Sequence, residues 1–151
     1  MKNQPKVVGI DTWKSGPDNL VPGCTITSIA SAEGVGEVGL YFMPAGKQTT
    51  VFSLEETDDG TADEYYGPCH EFYYILVGEF TMYWGKDTSK VRRGAANKLI
   101  LKAGDLGHWT PNWKYSVKNT GNVPGTFFWG ITRPPRGTKT REIAEPPPEL
   151  R

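Results

Sequence analysis

The sequence predicts an all-β protein, a sandwich or barrel of short strands. Three observations carry that expectation. Eighteen glycines and twelve prolines punctuate the 151 residues. No segment repeats its apolar side chains with the period of about 3.6 residues that marks a helix. Short runs rich in β-branched and aromatic residues recur instead, with a turn signal roughly every ten residues.

The runs can be taken in order. GEVGLYFMPAG, residues 36–46, alternates Val38, Leu40 and Phe42 with Glu37, Tyr41 and Met43, and stops at Pro44 and Gly46. Alternation of this kind puts the two sets on opposite faces of a strand. EFYYILVGEFTMYWG, residues 71–85, reads as two strands with Gly78-Glu79 between them. NKLILKAGDLGHWTP, residues 97–111, is a strand, a turn at Ala103-Gly104-Asp105, and a strand closing at Pro111. WKYSVKNTGNVPGTFFWGITRPP, residues 113–135, reads as a hairpin turning between Asn119 and Gly125.

Two segments fall outside the pattern. The acidic stretch SLEETDDGTADEYYGP, residues 53–68, is expected to be a long surface loop, without the ligand spacing of a calcium loop. The tail RPPRGTKTREIAEPPPELR is proline-rich and charged, hence extended rather than packed. The chain therefore divides into an N-terminal arm with the first strands (1–35), a β-barrel (36–133) and a proline-rich tail (134–151). The arms are candidates for exchange with a neighbouring subunit.

Composition narrows the partners. Seventeen basic side chains balance seventeen acidic ones, so no long-range field favours nucleic acid or an anionic membrane. A small molecule or a protein is the expected partner. The basic cluster Lys90, Arg92, Arg93, Lys98 and Lys102 reads as a solvated loop and strand edge. Cys24 and Cys69 are too few for a disulfide framework, and Cys69 reads as a free, half-buried thiol. The N-terminal residues lack the apolar run of a signal peptide, and a cytoplasmic location is expected.

In GPCHEFYYILVGEF, Glu71 is followed by six residues and then Gly78, and Gly104 lies fifteen residues before Asn119. These spacings resemble the two motifs of the cupins over roughly residues 36 to 133. The resemblance implies an antiparallel jelly-roll β-barrel whose three histidines and one glutamate hold a divalent metal. Here the sequence departs from it. Counting back from Glu71, the motif histidines fall at Glu64 and Tyr66, or at Tyr65 and Gly67; counting forward from Gly46, at Phe52 and Leu54. In the second motif Thr110, Asn112 and Tyr115 take the proline, glycine and histidine positions. Only Glu71 survives of the four ligands, and neutral phenols at Tyr66 and Tyr115 bind metals poorly at pH 7. The expectation is a hydrogen-bonding pocket without a cofactor.

The candidate catalytic residues are then Glu71, His70, His108, Tyr115 and Tyr66. An apolar barrel lined by Tyr73, Ile75, Tyr83, Val117 and Trp129 would raise the pKa of Glu71 toward neutrality, where a carboxyl works as acid or base. His108 shares a strand face with Leu106, so it points inward if Leu106 does. Tyr73, Tyr83, Trp109, Trp113 and Trp129 are the candidate substrate-binding residues. Trp113 and Tyr115 stand at the mouth, where an aromatic wall suits a planar or sugar-like compound, and Lys114 is placed at the rim to attract a carboxylate. The constellation suits isomerase, lyase or cyclase chemistry on a small carbonyl compound. Two alternatives stand beside it. One is a metal-dependent dioxygenase or lyase holding Fe, Zn or Mn through His70, Glu71 and His108, which requires a bulge after Gly67-Pro68 to turn both strand neighbours inward. The other is a non-catalytic binding protein. Resemblance to single-domain cupins also implies a homodimer.

Overall fold

The computed structural model describes residues 7–32, 36–55 and 59–132. The proline-rich tail, predicted to be extended, and the first residues of the N-terminal arm lie outside them. Eleven strands form two sheets among the described residues: β1 (Lys14–Pro17), β2 (Thr25–Ala32), β3 (Gly36–Met43), β4 (Phe52–Ser53), β5 (Glu64–Tyr65), β6 (His70–Val77), β7 (Glu79–Gly85), β8 (Asn97–Lys102), β9 (Leu106–Trp109), β10 (Lys114–Asn119) and β11 (Gly125–Thr132). One sheet has the order β1-β2-β3-β11-β6-β9, the other β5-β4-β10-β7-β8. All pairings are antiparallel except β4 with β5.

The chain crosses repeatedly between the sheets. Gly78, with φ of 94°, carries it from β6 to β7, a backbone conformation that costs glycine nothing. The predicted hairpin over 113–135 is corrected here: β10 pairs with β4 and β7, whereas β11 pairs with β3 and β6 in the opposite sheet. Its glycine and proline signals mark a crossover, since a turn between sheets needs the same residues as a hairpin turn. The basic cluster is not all loop and strand edge either. A short helix, α1 (Thr88–Arg92), links β7 to β8, capped by the Asp87 side chain accepting from Lys90 N.

Between the sheets lies a core that includes Met43, Ile75, Phe80, Met82, Val117 and Phe127. Phe127 is its aromatic hub, 4.4 Å from the Tyr73 ring centroid and 5.2 Å edge-on from Phe80. Cys24 and Cys69 are both buried, so Cys69 is more enclosed than its sequence suggested.

Two buried polar groups fix the ends of β10. Asn119 has no exposed surface; its Nδ2 donates to Met43 O and Val123 O at 2.9 Å each, and its Oδ1 accepts from Gly121 N at 3.0 Å. Lys114, expected at an open rim, is instead 1% exposed. Its ammonium donates to Asp59 at 2.7 Å and lies 3.7 Å from Glu55, so the carboxylates it attracts are the chain's own. The ammonium holds the Asp59 carboxyl well below the usual carboxylate range.

Replacing Asn119 by Ala leaves two carbonyls and one amide without their partner, and is expected to cost about 3 kcal/mol in urea unfolding. A loss under about 0.5 kcal/mol would show that this asparagine does not hold the β10–β11 crossover. Lys114→Met keeps the buried stem and returns the carboxylate of Asp59 to water, whereas Asp59→Ala leaves the buried ammonium with only the more distant Glu55. The melting temperature should fall further for Asp59→Ala than for Lys114→Met.

Candidate functional site

Strand alternation on β6 sends Glu71, Tyr73 and Ile75 inward and His70, Phe72 and Tyr74 outward. Glu71 and Tyr73 thereby enter the wall of a cavity of about 480 Å³. The remaining wall comes from the β1–β2 connection (Asp18 to Val21), from Glu37 and Tyr41 on β3, Phe52 on β4, Glu64 and Tyr66 at β5, and Phe127 and Trp129 on β11. Two glycines make that wall possible. At Gly39 a Cβ would meet the Thr27 carbonyl oxygen at 2.0 Å and the Trp129 ring at 2.6 Å, so its absence seats the indole. At Gly67 a Cβ would stand 1.5 Å from Glu55 O, so its absence closes the loop that presents Glu64 and Tyr66.

Two of the cavity's carboxyls are paired with phenols. The Tyr41 hydroxyl donates to Asp18, whose other oxygen accepts from Leu20 N at 2.8 Å. The Tyr66 hydroxyl donates to Glu64 at 2.6 Å. Tyr73 lies beside Glu71 in the same wall, and its hydroxyl favours the Glu71 anion. Burial pushes all three phenols well above their ordinary pKa, and the carboxyl partners push further in the same direction. The phenols therefore stay protonated as donors. Burial also raises Glu64.

Glu71 differs from the other acids. It is 6% exposed, its Oε2 has no hydrogen-bond partner, and burial pushes its pKa up to about 8 against the lowering effect of the Tyr73 hydroxyl. A carboxyl of this kind carries its proton at neutral pH and presents one oxygen to whatever occupies the cavity.

The residues expected from sequence divide sharply. Glu71, Tyr66, Tyr73 and Trp129 line the cavity together. His70 and His108 are outside it. Leu106 is 63% exposed, and His108, which shares its strand face, points outward with it. There His108 stacks on Phe72 with ring centroids 4.6 Å apart, and its Nε2 lies 2.9 Å from His70 Nδ1. The set His70, Glu71, His108 is thus split across the two faces of one sheet. Tyr115 is buried and closed on itself: its hydroxyl donates to Thr110 O at 2.6 Å and accepts from Thr110 N at 3.1 Å. Trp109 packs edge-on against Tyr73 behind the wall. Trp113 meets Trp84 edge-on, 4.9 Å between centroids, beneath the Lys86 ammonium, and the Tyr83 ring lies beside Gly94. None of Tyr83, Trp109, Trp113 and Tyr115 lines the cavity.

Sequence reasoning missed Asp18, Tyr41 and Glu37 as wall residues. The signal for two of them was present, since Glu37 and Tyr41 share a face of β3 with the buried Met43. Asp18 sits in an irregular connection and has no such periodicity.

No protein-family model and no curated protein sequence matches the chain. Solved structures do match it. A predicted oxalate decarboxylase from Thermotoga maritima aligns with a TM-score of 0.60 and 19% identity, over 84% of this chain and 98% of that one. The Cnp3 cupin domain of Schizosaccharomyces pombe aligns with a TM-score of 0.57 and 17% identity, over 78% of this chain and 69% of that one. The chain has the cupin fold. A third neighbour is a substituted form of Streptomyces PAC13 with uridine, with a TM-score of 0.57 and 11% identity, over 86% of this chain and 83% of that one. These neighbours carry different descriptions, so the cupin fold does not by itself single out an activity.

The imidazole-rich metal set that cupins imply does not fit this cavity. Its described wall offers phenols and carboxyls and no imidazole, and Glu71 is the one motif ligand retained. Among the described residues no three His, Cys, Asp or Glu side chains stand close enough to share an ion. Among the described residues, too, no helix is long and apolar enough to cross a membrane.

Because the folded state binds the Glu71 proton more tightly than the unfolded chain, the contribution of Glu71 to stability is full below about pH 4.5 and is lost as pH rises through about 8. Carbon-13 NMR of the Glu71 carboxyl should show a midpoint near 8. The Glu71→Gln variant should lack this component of the decline. A midpoint near 4.5 would show the cavity to be far wetter than its walls imply.

Proposed function

We propose that this cupin is a metal-independent acid/base catalyst of the isomerase, lyase or cyclase type, acting on a small ring-bearing carbonyl compound held in the cavity. The observation that carries the reading is Glu71: a protonated, inward-facing carboxyl with a free oxygen, beside the hydroxyl of Tyr73. Proton transfer next to a carbonyl needs one group that takes or gives the proton and donors that hold the oxygen as charge develops there. Glu71 serves as the first and the Tyr73 hydroxyl as the second, the Tyr66 proton being held by Glu64. The carboxylate form removes a proton from the carbon beside the carbonyl, and the Tyr73 phenol holds the enolate oxygen. The Glu71 carboxyl then returns the proton to another carbon in isomerisation, or to a departing group in elimination. The volume suits a ligand of ordinary metabolite size, and the uridine in the Streptomyces neighbour supports a ring-bearing one.

The test is deuterium exchange in heavy water across a panel of cyclic and aromatic ketones, aldehydes and nucleosides, followed by mass spectrometry. Compounds that bind should gain deuterium beside their carbonyl with the native chain. Glu71→Gln should keep their affinity within about threefold and lose at least about a hundredfold in exchange rate. Exchange governed by the free enzyme should vary with pH around a midpoint near 8. Compounds that bind tightly but exchange no faster than with Glu71→Gln would make the chain a binding protein, not a catalyst.

A further inference from the structure

The described wall of the cavity carries four carboxyl side chains, Asp18, Glu37, Glu64 and Glu71, and no lysine, arginine or histidine. This is a local imbalance, because the chain as a whole is neutral, with 17 basic and 17 acidic residues. The same wall is built of aromatic rings, among them Tyr41, Phe52, Tyr73, Phe127 and Trp129. Asp18, Glu37 and Glu64 are already engaged, by Tyr41, by Ser28 at 2.7 Å and by Tyr66 respectively. Glu71 is the exception: it is more than nine-tenths buried and its Oε2 has no partner.

We propose that the cavity selects organic cations, amines or quaternary ammonium compounds on a small ring or apolar body. The inference rests on the cavity being the ligand site of the reading above and names its substrate class. An anionic ligand would meet acids on several sides with no compensating base. A neutral ligand gains nothing from their field. A cation gains from the carboxylates and from ring faces, which attract positive charge through their quadrupole, most strongly where water is excluded.

Binding has a proton consequence. The empty cavity holds Glu71 as a neutral acid because burial disfavours its anion. An ammonium placed against it favours the anion, so the complex forms as carboxylate and ammonium while one proton leaves to solvent. The base needed for catalysis would thus be produced by the arrival of the substrate.

Calorimetry with two matched pairs tests this: choline against 3,3-dimethylbutan-1-ol, and tyramine against 4-ethylphenol, with 3-(4-hydroxyphenyl)propanoate as the anion. At least one cation is expected to bind about tenfold or more tighter than its neutral isostere, with the anion weakest. At pH 6.5, titrations in buffers of different ionisation enthalpy should reveal release of roughly one proton, lost in Glu71→Gln. Glu64→Gln should weaken the cation and leave the isostere unchanged, which a misfolded variant would not do. Equal affinity within each pair, preference for the anion, or no binding by either cation at millimolar concentration would overturn the proposal. The two readings fail separately. Cation preference with a Glu71 midpoint near 4.5 would sink the acid/base reading alone, and a midpoint near 8 without cation preference would sink this one alone.

Discussion

A carboxyl group taken out of water is the constraint on which the rest of this molecule turns. Glu71 occupies an inward position of β6, and the strand's alternation gives it no route to solvent except through the cavity. The molecule keeps the group by letting it hold a proton, which removes most of the cost of burying it. What surrounds it follows from that choice. The Tyr73 phenol stands beside it, and its Oε2 is left for a ligand.

The neighbouring polar groups are arranged so that they do not compete for this vacancy. Tyr41 and Tyr66 each spend their hydroxyl proton on an acid of their own, Asp18 and Glu64. Such pairs satisfy buried oxygens without introducing positive charge. The apolar core beneath, around Phe80, Met82, Val117 and Phe127, is buried, which keeps the local dielectric low where it borders the cavity. Asn119 shows the same economy at the far end of β10, with both functions of its amide used.

How far the sequence foretold this depends on whether a feature is local or distant along the chain. Glycine and proline spacing with alternating runs was enough for the β architecture and for the strands bearing Glu71, Tyr73 and Trp129. Counting back from Glu71 left two registers open, Glu64 with Tyr66 or Tyr65 with Gly67, and it is the first pair that lines the cavity. The partner sheet of β11 was not legible, because a crossover and a hairpin demand the same turn residues. Nor was the burial of Lys114, which depends on Asp59, fifty-five residues away in sequence. The two histidines drew attention by their scarcity, yet period two alone, starting from an inward Glu71, places His70 on the outer face, and Leu106 carries His108 there with it.

Lys114 also has a bearing on the loop at the cavity's edge. Its ammonium lies beneath the segment leading from β4 to β5 and fastens it at Glu55 and Asp59, while Arg92 grips Asp63 of the same segment from outside at 2.6 Å. Dissolved ions reach both partners of the outer clasp but only the Asp59 end of the inner one. Strong brine therefore slackens the outer fastening more than the inner, and the loop that carries Glu64 and Tyr66 keeps the firmer of its two anchors.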